Sequence, residues 1–316
     1  MCFKTRGQGQ LCRRALNCGR YMGDKNYQID IREVLSRKYA GSYAKQAVLR
    51  LPDRYWMIGD GAFQDNIRIE KLDLSDRLQV IGRNAFRHSI VLKEVRLPRS
   101  VERLGDGCFS DCPRIREAYM SRYLREVPRD AFREDRKLMK ILFTKDSVLT
   151  RIGRDAFSEC VSLEKILLPG TVTEVDDRAF YRCKSLKTVR FPEGLKRIGK
   201  EAFYFCAMET LELPESLEIL DEKAFFKCTW LTEVRLPTHI RRIEKWVFHG
   251  CSRLKVLEIR HDPEYIGEWI INRAARIRCY RGSKVDRYCQ ESGFTVEYID
   301  GEQGEEPAGR GGWPAG

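Results

Sequence analysis

A phenylalanine returns along this chain at nearly constant spacing. It stands at Phe63, Phe86, Phe109, Phe132, Phe157, Phe180, Phe203, Phe225 and Phe248, at successive intervals of 23, 23, 23, 25, 23, 23, 22 and 23 residues. Most copies follow an alanine, as in "IGRDAFSEC" (Ile152 to Cys160) and "IGKEAFYFC" (Ile198 to Cys206). A catalytic motif occurs once, whereas a unit repeated nine times is architecture. Self-similarity at this period identifies a stacked repeat.

Each unit has two halves. The first reads L-x-x-[IV]-x-[LF]-P, as in "LEKILLP" (Leu163 to Pro169) and "LTEVRLP" (Leu231 to Pro237). Side chains alternate along a strand, so the fourth and sixth residues share one face. Proline ends the strand because it cannot donate to a further ladder. The second half opens on Ile-Gly or a substitute and enters a short helical or irregular piece carrying the Ala-Phe pair. Gly59, Gly82, Gly105, Gly153 and Gly199 are expected to serve a turn at positive φ, and the acids before "AF" are expected at turns or helix starts. One unit cannot bury its apolar side alone, but stacked units can. Ile166, Val189, Leu211 and Val234 then form one inward column, with the phenylalanines filling the opposite side.

These residues resemble the BspA-like leucine-rich repeats, whose pattern joins a leucine strand ending in proline to "IG", "AF" and a following cysteine. The match runs from about Leu49 to Ile259 and is weakest in "AYMSRYLREVPRDAFRED" (Ala118 to Asp135), which lacks the proline, glycine and cysteine. The resemblance implies a curved or flattened solenoid, α/β but strand-rich, of about nine to ten turns, used for protein–protein contact and without enzymatic activity. It also implies a C-terminal cap in "CYRGSKVDRYCQESGFTVEYI" (Cys279 to Ile299). The expected organisation is a basic arm (1–26), a lead-in (27–48), the solenoid (49–262), the cap (263–300) and a tail rich in Gly, Pro and Glu (301–316).

No catalytic, cofactor-binding or metal-binding residue is expected. Twelve cysteines are present, but six of them (Cys112, Cys160, Cys183, Cys206, Cys228 and Cys251) stand three residues after the repeat phenylalanine, the register of a small buried residue. None shows the paired C-x2-C spacing of a zinc site. The four histidines are isolated in sequence, and no H-E-x-x-H, G-x-S-x-G or phosphate-loop pattern occurs.

The N-terminus has no apolar signal region, and no apolar run approaches the roughly 18 residues of a membrane span. A cytoplasmic monomer with reduced thiols is the expectation. The net charge of +12 concentrates in the first 50 residues and in a cluster from Arg273 to Arg287. Nucleic acid or an anionic surface is therefore an alternative partner, and a surface adhesin is another if the chain is exported. The preferred partner is a protein. The fifth strand position points away from the core and reads Arg50, Asp73, Arg96, Tyr119, Leu142, Leu167, Arg190, Glu212, Arg235 and Glu258. Tyr119, Leu142 and Leu167, rimmed by Arg96 and Arg190, have the composition of a contact patch. The competing expectation is that the irregular repeat around Leu124 to Asp135 folds over them.

Overall fold

The computed structural model describes residues 33–299; the basic arm, the start of the lead-in and the tail lie outside them. Among the described residues the chain forms 22 short strands, β1–β22 in chain order, and two short helices, α1 (Arg37–Ala40) and α2 (Lys284–Ser292). All strand pairs are parallel, and nearly all join one turn to the next, as a solenoid requires. There are about 12 turns. The difference from nine to ten arises because the cap strands β21 (Arg276–Cys279) and β22 (Thr295–Tyr298) continue the stack without a phenylalanine.

The leucine strands form one face. Its central members are β6 (Glu94–Arg96), β8 (Glu117–Tyr119), β10 (Lys140–Leu142), β12 (Lys165–Leu167) and β14 (Thr188–Arg190). Register keeps like positions side by side, so Ile166 lies on Val189 and Leu142 on Tyr119. This face is not one unbroken sheet. The ladder stops between β4 (Lys71–Asp73) and β6, between β10 and β12, where the repeat is two residues longer, and again around Leu211, which remains buried but lies outside any strand.

A second face, unexpected from sequence, is built from the two residues around the "I" of "IG". It includes β9 (Glu126–Val127), β11 (Arg151–Ile152), β13 (Glu174–Val175), β15 (Arg197–Ile198) and β16 (Ile219–Leu220). The second residue of each strand turns inward and is buried, while the first faces out. From Glu126 to Arg197 the outward row alternates in sign. Arg151 reaches Glu174 at 3.6 Å and Asp176 at 2.6 Å, and Arg197 reaches Glu174 at 2.7 Å and Asp221 at 2.5 Å. Asp176 and Asp221 occupy the glycine place of their repeats, so the acid replaces glycine where a ladder arginine needs a partner.

The glycines answer to a different constraint from the one expected. At Gly82 and Gly105 a Cβ would stand 2.4–2.7 Å from the backbone of the preceding turn, so close stacking, not positive φ, requires them. Positive φ instead recurs two residues before and two after each phenylalanine, as at Asp155 and Glu159 (52° and 61°). This pair of left-handed residues folds the Ala-Phe segment into a corner without a helix.

The corner carries the core's main regularity. Consecutive phenylalanine rings from Phe63 to Phe248 stack at 5.1–5.5 Å between centroids and within 15° of parallel. Each phenylalanine amide donates to the carbonyl of the residue before the next one, for example Phe157 to Ala179 at 2.8 Å. The cysteines add a donor. Cys160 Sγ lies 3.1 Å from the Phe132 carbonyl and Cys183 Sγ 3.2 Å from that of Phe157; Ser89 holds the equivalent place and donates to Phe63. The register therefore selects a small donor, not merely a small apolar residue. All nine described cysteines are free and buried. Burial raises the thiols of the repeat register, that of Cys228 to about 12, which keeps it protonated and unreactive at neutral pH.

Asp135 is the exception in this row. It takes the cysteine place and is fully buried; its Oδ1 accepts the Cys112 amide at 2.7 Å while Oδ2 has no partner. Burial pushes its carboxyl well above the usual carboxylate range. Such a group binds more protons folded than unfolded, so the stability it allows is full below about pH 4 and is lost as pH rises through the folded value.

Phe157→Ala should lower stability by about 3–5 kcal/mol, read as a fall in urea midpoint, because both ring neighbours lose contact. Asp135→Cys should stabilise the chain at pH 7 by about 1–3 kcal/mol, with the gain shrinking towards pH 4. An equal gain at both pH values would show that the charge of Asp135 is not the cause.

Candidate partner-binding surface

The inward fourth position of each leucine strand fixes where the fifth must point, because a strand alternates its faces. Arg96, Tyr119, Leu142, Leu167 and Arg190 accordingly stand in one row across β6, β8, β10, β12 and β14. Leu142 is 41% exposed and Leu167 47%. The irregular repeat does not cover them. They flank the seam at which β10 and β12 are not joined by a ladder.

Tyr119 sits differently from its neighbours. The Arg96 guanidinium lies 3.7 Å above its ring centre, and its hydroxyl donates to Glu117 at 2.8 Å. Glu94 in turn pairs with Arg96. Tyr119 is thus half-buried under a cation and forms the wall of the patch rather than its floor. On the outer flank Arg190 is exposed beside Leu167.

Elsewhere the row is charged, and one of its members is not outward in the sense expected. Glu258 is buried. Arg278 holds it at 3.0 Å, Arg260 at 2.6 Å and Arg235 at 3.4 Å. The C-terminal excess of arginine is spent in the same way. Arg276 and Arg278 pair with Glu297, and the Arg281 guanidinium lies 4.0 Å from the Tyr298 ring centre. These contacts remove much of the free cationic surface inferred from charge counting; the N-terminal half of that inference falls largely on residues outside the described part.

The cap closes the row. Ser283 accepts the Asp286 amide at the start of α2, and Gly293 ends the helix at φ 70°. Cys279 and Cys289 are both buried in the cap's core. A shallow pocket of about 300 Å³ opens beside the helix start, lined by His261, Asp262, Tyr280 and Arg281 among others. Asp262 there accepts the Lys284 amide at 2.8 Å and is committed to the cap. Among the described residues no group of three or more His, Cys, Asp or Glu is placed to hold a metal ion, and no helix is long and apolar enough to cross a membrane.

The match to a family model agrees with this geometry. The model of the BspA type leucine rich repeat region matches residues 38–160 and 150–277, in six copies. No curated protein matches the chain. Among solved structures, a leucine-rich repeat protein from Bacteroides ovatus is 21% identical over 80% of this chain and 83% of its own, with a TM-score of 0.48. The pneumococcal vaccine antigen PcpA is 18% identical over 80% and 78%, with a TM-score of 0.41. A leucine rich cell surface protein from Faecalibacterium prausnitzii is 18% identical over 89% and 86%, with a TM-score of 0.39. With the family model covering most of the chain, and the strands, phenylalanine corner and cysteine register all in place, this chain belongs to the BspA type leucine-rich repeat proteins.

Proposed function

We propose that the chain is a non-enzymatic repeat scaffold that binds another protein across the leucine-strand face, centred on Leu142 and Leu167. One observation carries this reading. Two large aliphatic side chains are exposed in adjacent repeats, in a row otherwise charged, between the Arg96–Tyr119 stack and Arg190. An apolar centre with an arginine and aromatic rim is the composition that contributes most energy at protein interfaces. The complementary partner surface carries an aliphatic or aromatic anchor, with carboxylates towards Arg96 and Arg190.

Binding of nucleic acid through the basic ends has less to support it, since Arg276, Arg278 and Arg281 are engaged within the cap. The cytoplasmic location expected from the sequence belongs to the same proposal, and a role as an exported adhesin would use the same face.

Affinity capture from native lysate, with and without nuclease and at about 0.1 and 0.5 M salt, compared between the native chain and the Leu142→Ser/Leu167→Ser variant, tests the reading. A discrete protein captured at both salts should be lost with the variant, a fall of at least about 30-fold for a true hot spot, while circular dichroism stays unchanged. Capture unaffected by the double substitution would move the partner to another face; material lost with nuclease would support nucleic acid.

A further inference from the structure

The outer side of the phenylalanine corner changes character halfway along the chain. Two residues of each repeat, two before and two after the phenylalanine, take the left-handed conformation, which glycine, asparagine and aspartate accept most readily. Up to Phe157 these places hold mainly small or acidic residues, as at Gly61, Asn84, Asp111 and Asp155. Beyond it Phe205, Trp246 and Trp269 stand at φ 58°, 61° and 53°. Bulky rings are poorly suited to that backbone, and strain kept where a smaller residue would serve points to a use for the side chain. The position directly after the phenylalanine changes in step. Gln64, Arg87, Ser110, Arg133 and Ser158 give way to Tyr181, Tyr204, Phe226 and His249, whose rings follow one another along the outer side at 4.9–5.7 Å. Phe205 is 37% and Trp269 38% exposed.

Charge changes with the aromatics. Ile271 takes the phenylalanine place of a tenth repeat, after Ile270, the acceptor of the Phe248 amide. In the third and second positions before that place and the first and second after it, the first five repeats hold five cations and eight acids. The last five hold seven cations and four acids. Some of these cations are committed: Arg178 and Arg182 reach Asp155 and Glu159 of the turn before, and Lys200 and Lys223 reach Glu222. Lys227, Lys245 and Arg273 are not. They lie over Phe226, Trp246 and Trp269, at 5.7, 4.6 and 4.9 Å from the ring centres, and none has a carboxylate within 4 Å among the described residues. Lys184 over Phe205 and Arg253 over Trp230 repeat the arrangement on the flank. Of the four acids, Asp177, Glu201 and Glu222 are ion-paired, and Glu268 alone stands without a pair among the described residues.

We propose that this strip, from Tyr181 to Arg273, docks the chain on an anionic lipid bilayer. Tryptophan and tyrosine rings settle at the boundary between headgroups and acyl chains, and lysine or arginine beside them is drawn to anionic headgroups, by about fivefold in affinity for each. The shape agrees. The phenylalanine points inward, so the residues around it lie on the outside of a bend, and a convex edge meets a flat surface better than it encloses a chain. Five turns at the spacing of stacked strands give a line of about 20 Å, long enough to reach several headgroups. An extended peptide or a nucleic-acid strand finds less here. The corner amides of Phe203, Phe205, Phe225 and Lys227 already donate to the next turn. The faces of Tyr204 and Trp246 are covered by neighbouring rings or ammoniums, which leaves little for a base to stack on. The strip is separate from the Leu142–Leu167 face, and its failure leaves that reading untouched.

Co-flotation of the full chain with vesicles tests the docking, using phosphatidylcholine alone or with about 30% phosphatidylserine, at about 0.05 and 0.5 M salt. Binding is expected only with phosphatidylserine and should fall at least about tenfold at the higher salt. Lys227→Gln/Lys245→Gln/Arg273→Gln should weaken it on the order of 100-fold. Trp246→Asn/Trp269→Asn should also weaken it and remove most of the quenching of tryptophan emission by brominated lipid. Asparagine already takes this conformation at Asn84, so the second variant should fold, and circular dichroism checks both. A chain that ignores phosphatidylserine vesicles overturns the proposal. So does vesicle binding that neither set of substitutions weakens, which would assign the contact to the basic residues before residue 33. A labelled single-stranded oligonucleotide is run alongside. Binding to it that the same substitutions remove, in a chain indifferent to vesicles, would give the strip to nucleic acid instead.

Discussion

Each turn of the solenoid is fastened to the next at the phenylalanine corner. There it contributes a ring to a continuous stack and an amide to a carbonyl of the next turn, and the cysteine thiol of the following turn returns to the phenylalanine carbonyl. Three contacts thus tie each unit to its neighbour at one place, two of them directional. In a solenoid each turn contacts mainly its neighbours, so nothing farther along rescues a bad junction and stability is approximately a sum over such neighbour terms. This explains why Ala and Phe vary so little along the chain while the outward positions beside them vary freely. It also explains the sharp backbone: two left-handed residues per turn are needed to swing the Ala-Phe pair inward, and the chain accepts arginine and tryptophan there despite the steric demand.

Around this spine the surface divides into strips with separate chemistry. The leucine face presents a short aliphatic patch between an arginine-capped tyrosine and a second arginine. The opposite face presents alternating charges that satisfy one another, Arg151 and Arg197 bridging three turns each through Glu126, Glu174, Asp176 and Asp221. Such networks are worth more than isolated surface pairs because each side chain is ordered once for several contacts. They also occupy much of the charge that a count of lysines and arginines suggests is available. The net charge of +12 is therefore a poor guide to what the described part of the molecule attracts.

Much of the architecture was legible from residue order, for a physical reason. Buried columns such as Phe157 on Phe180 tolerate few residue types, so they leave a period in the sequence. The cap was expected from the family resemblance rather than from the period. The second ladder was not legible. Its strands are two residues long, too short for alternation to show, and only pairing with neighbouring turns makes them strands. The glycines were read as turn residues because the clash they avoid is with the previous turn, some 23 residues away. Glu258 was read as outward because two of the three arginines around it, Arg235 and Arg278, come from the neighbouring turn and from the cap.

The candidate surface divides in the same way. Residue order was enough to put Arg96, Tyr119, Leu142, Leu167 and Arg190 in one row, because strand alternation and a constant period settle facing before any contact forms. It was enough, too, for the aromatic core and the buried cysteines. That Tyr119 lies beneath Arg96, that Leu142 and Leu167 flank a seam in the ladder, and that Asp135 is sealed in without a partner for Oδ2 were settled only by folding. Those outcomes depend on how neighbouring turns stack and which outward side chains reach one another. Outward positions leave no period, because solvent accepts almost any residue there, and so their contacts appear only once the turns are in place.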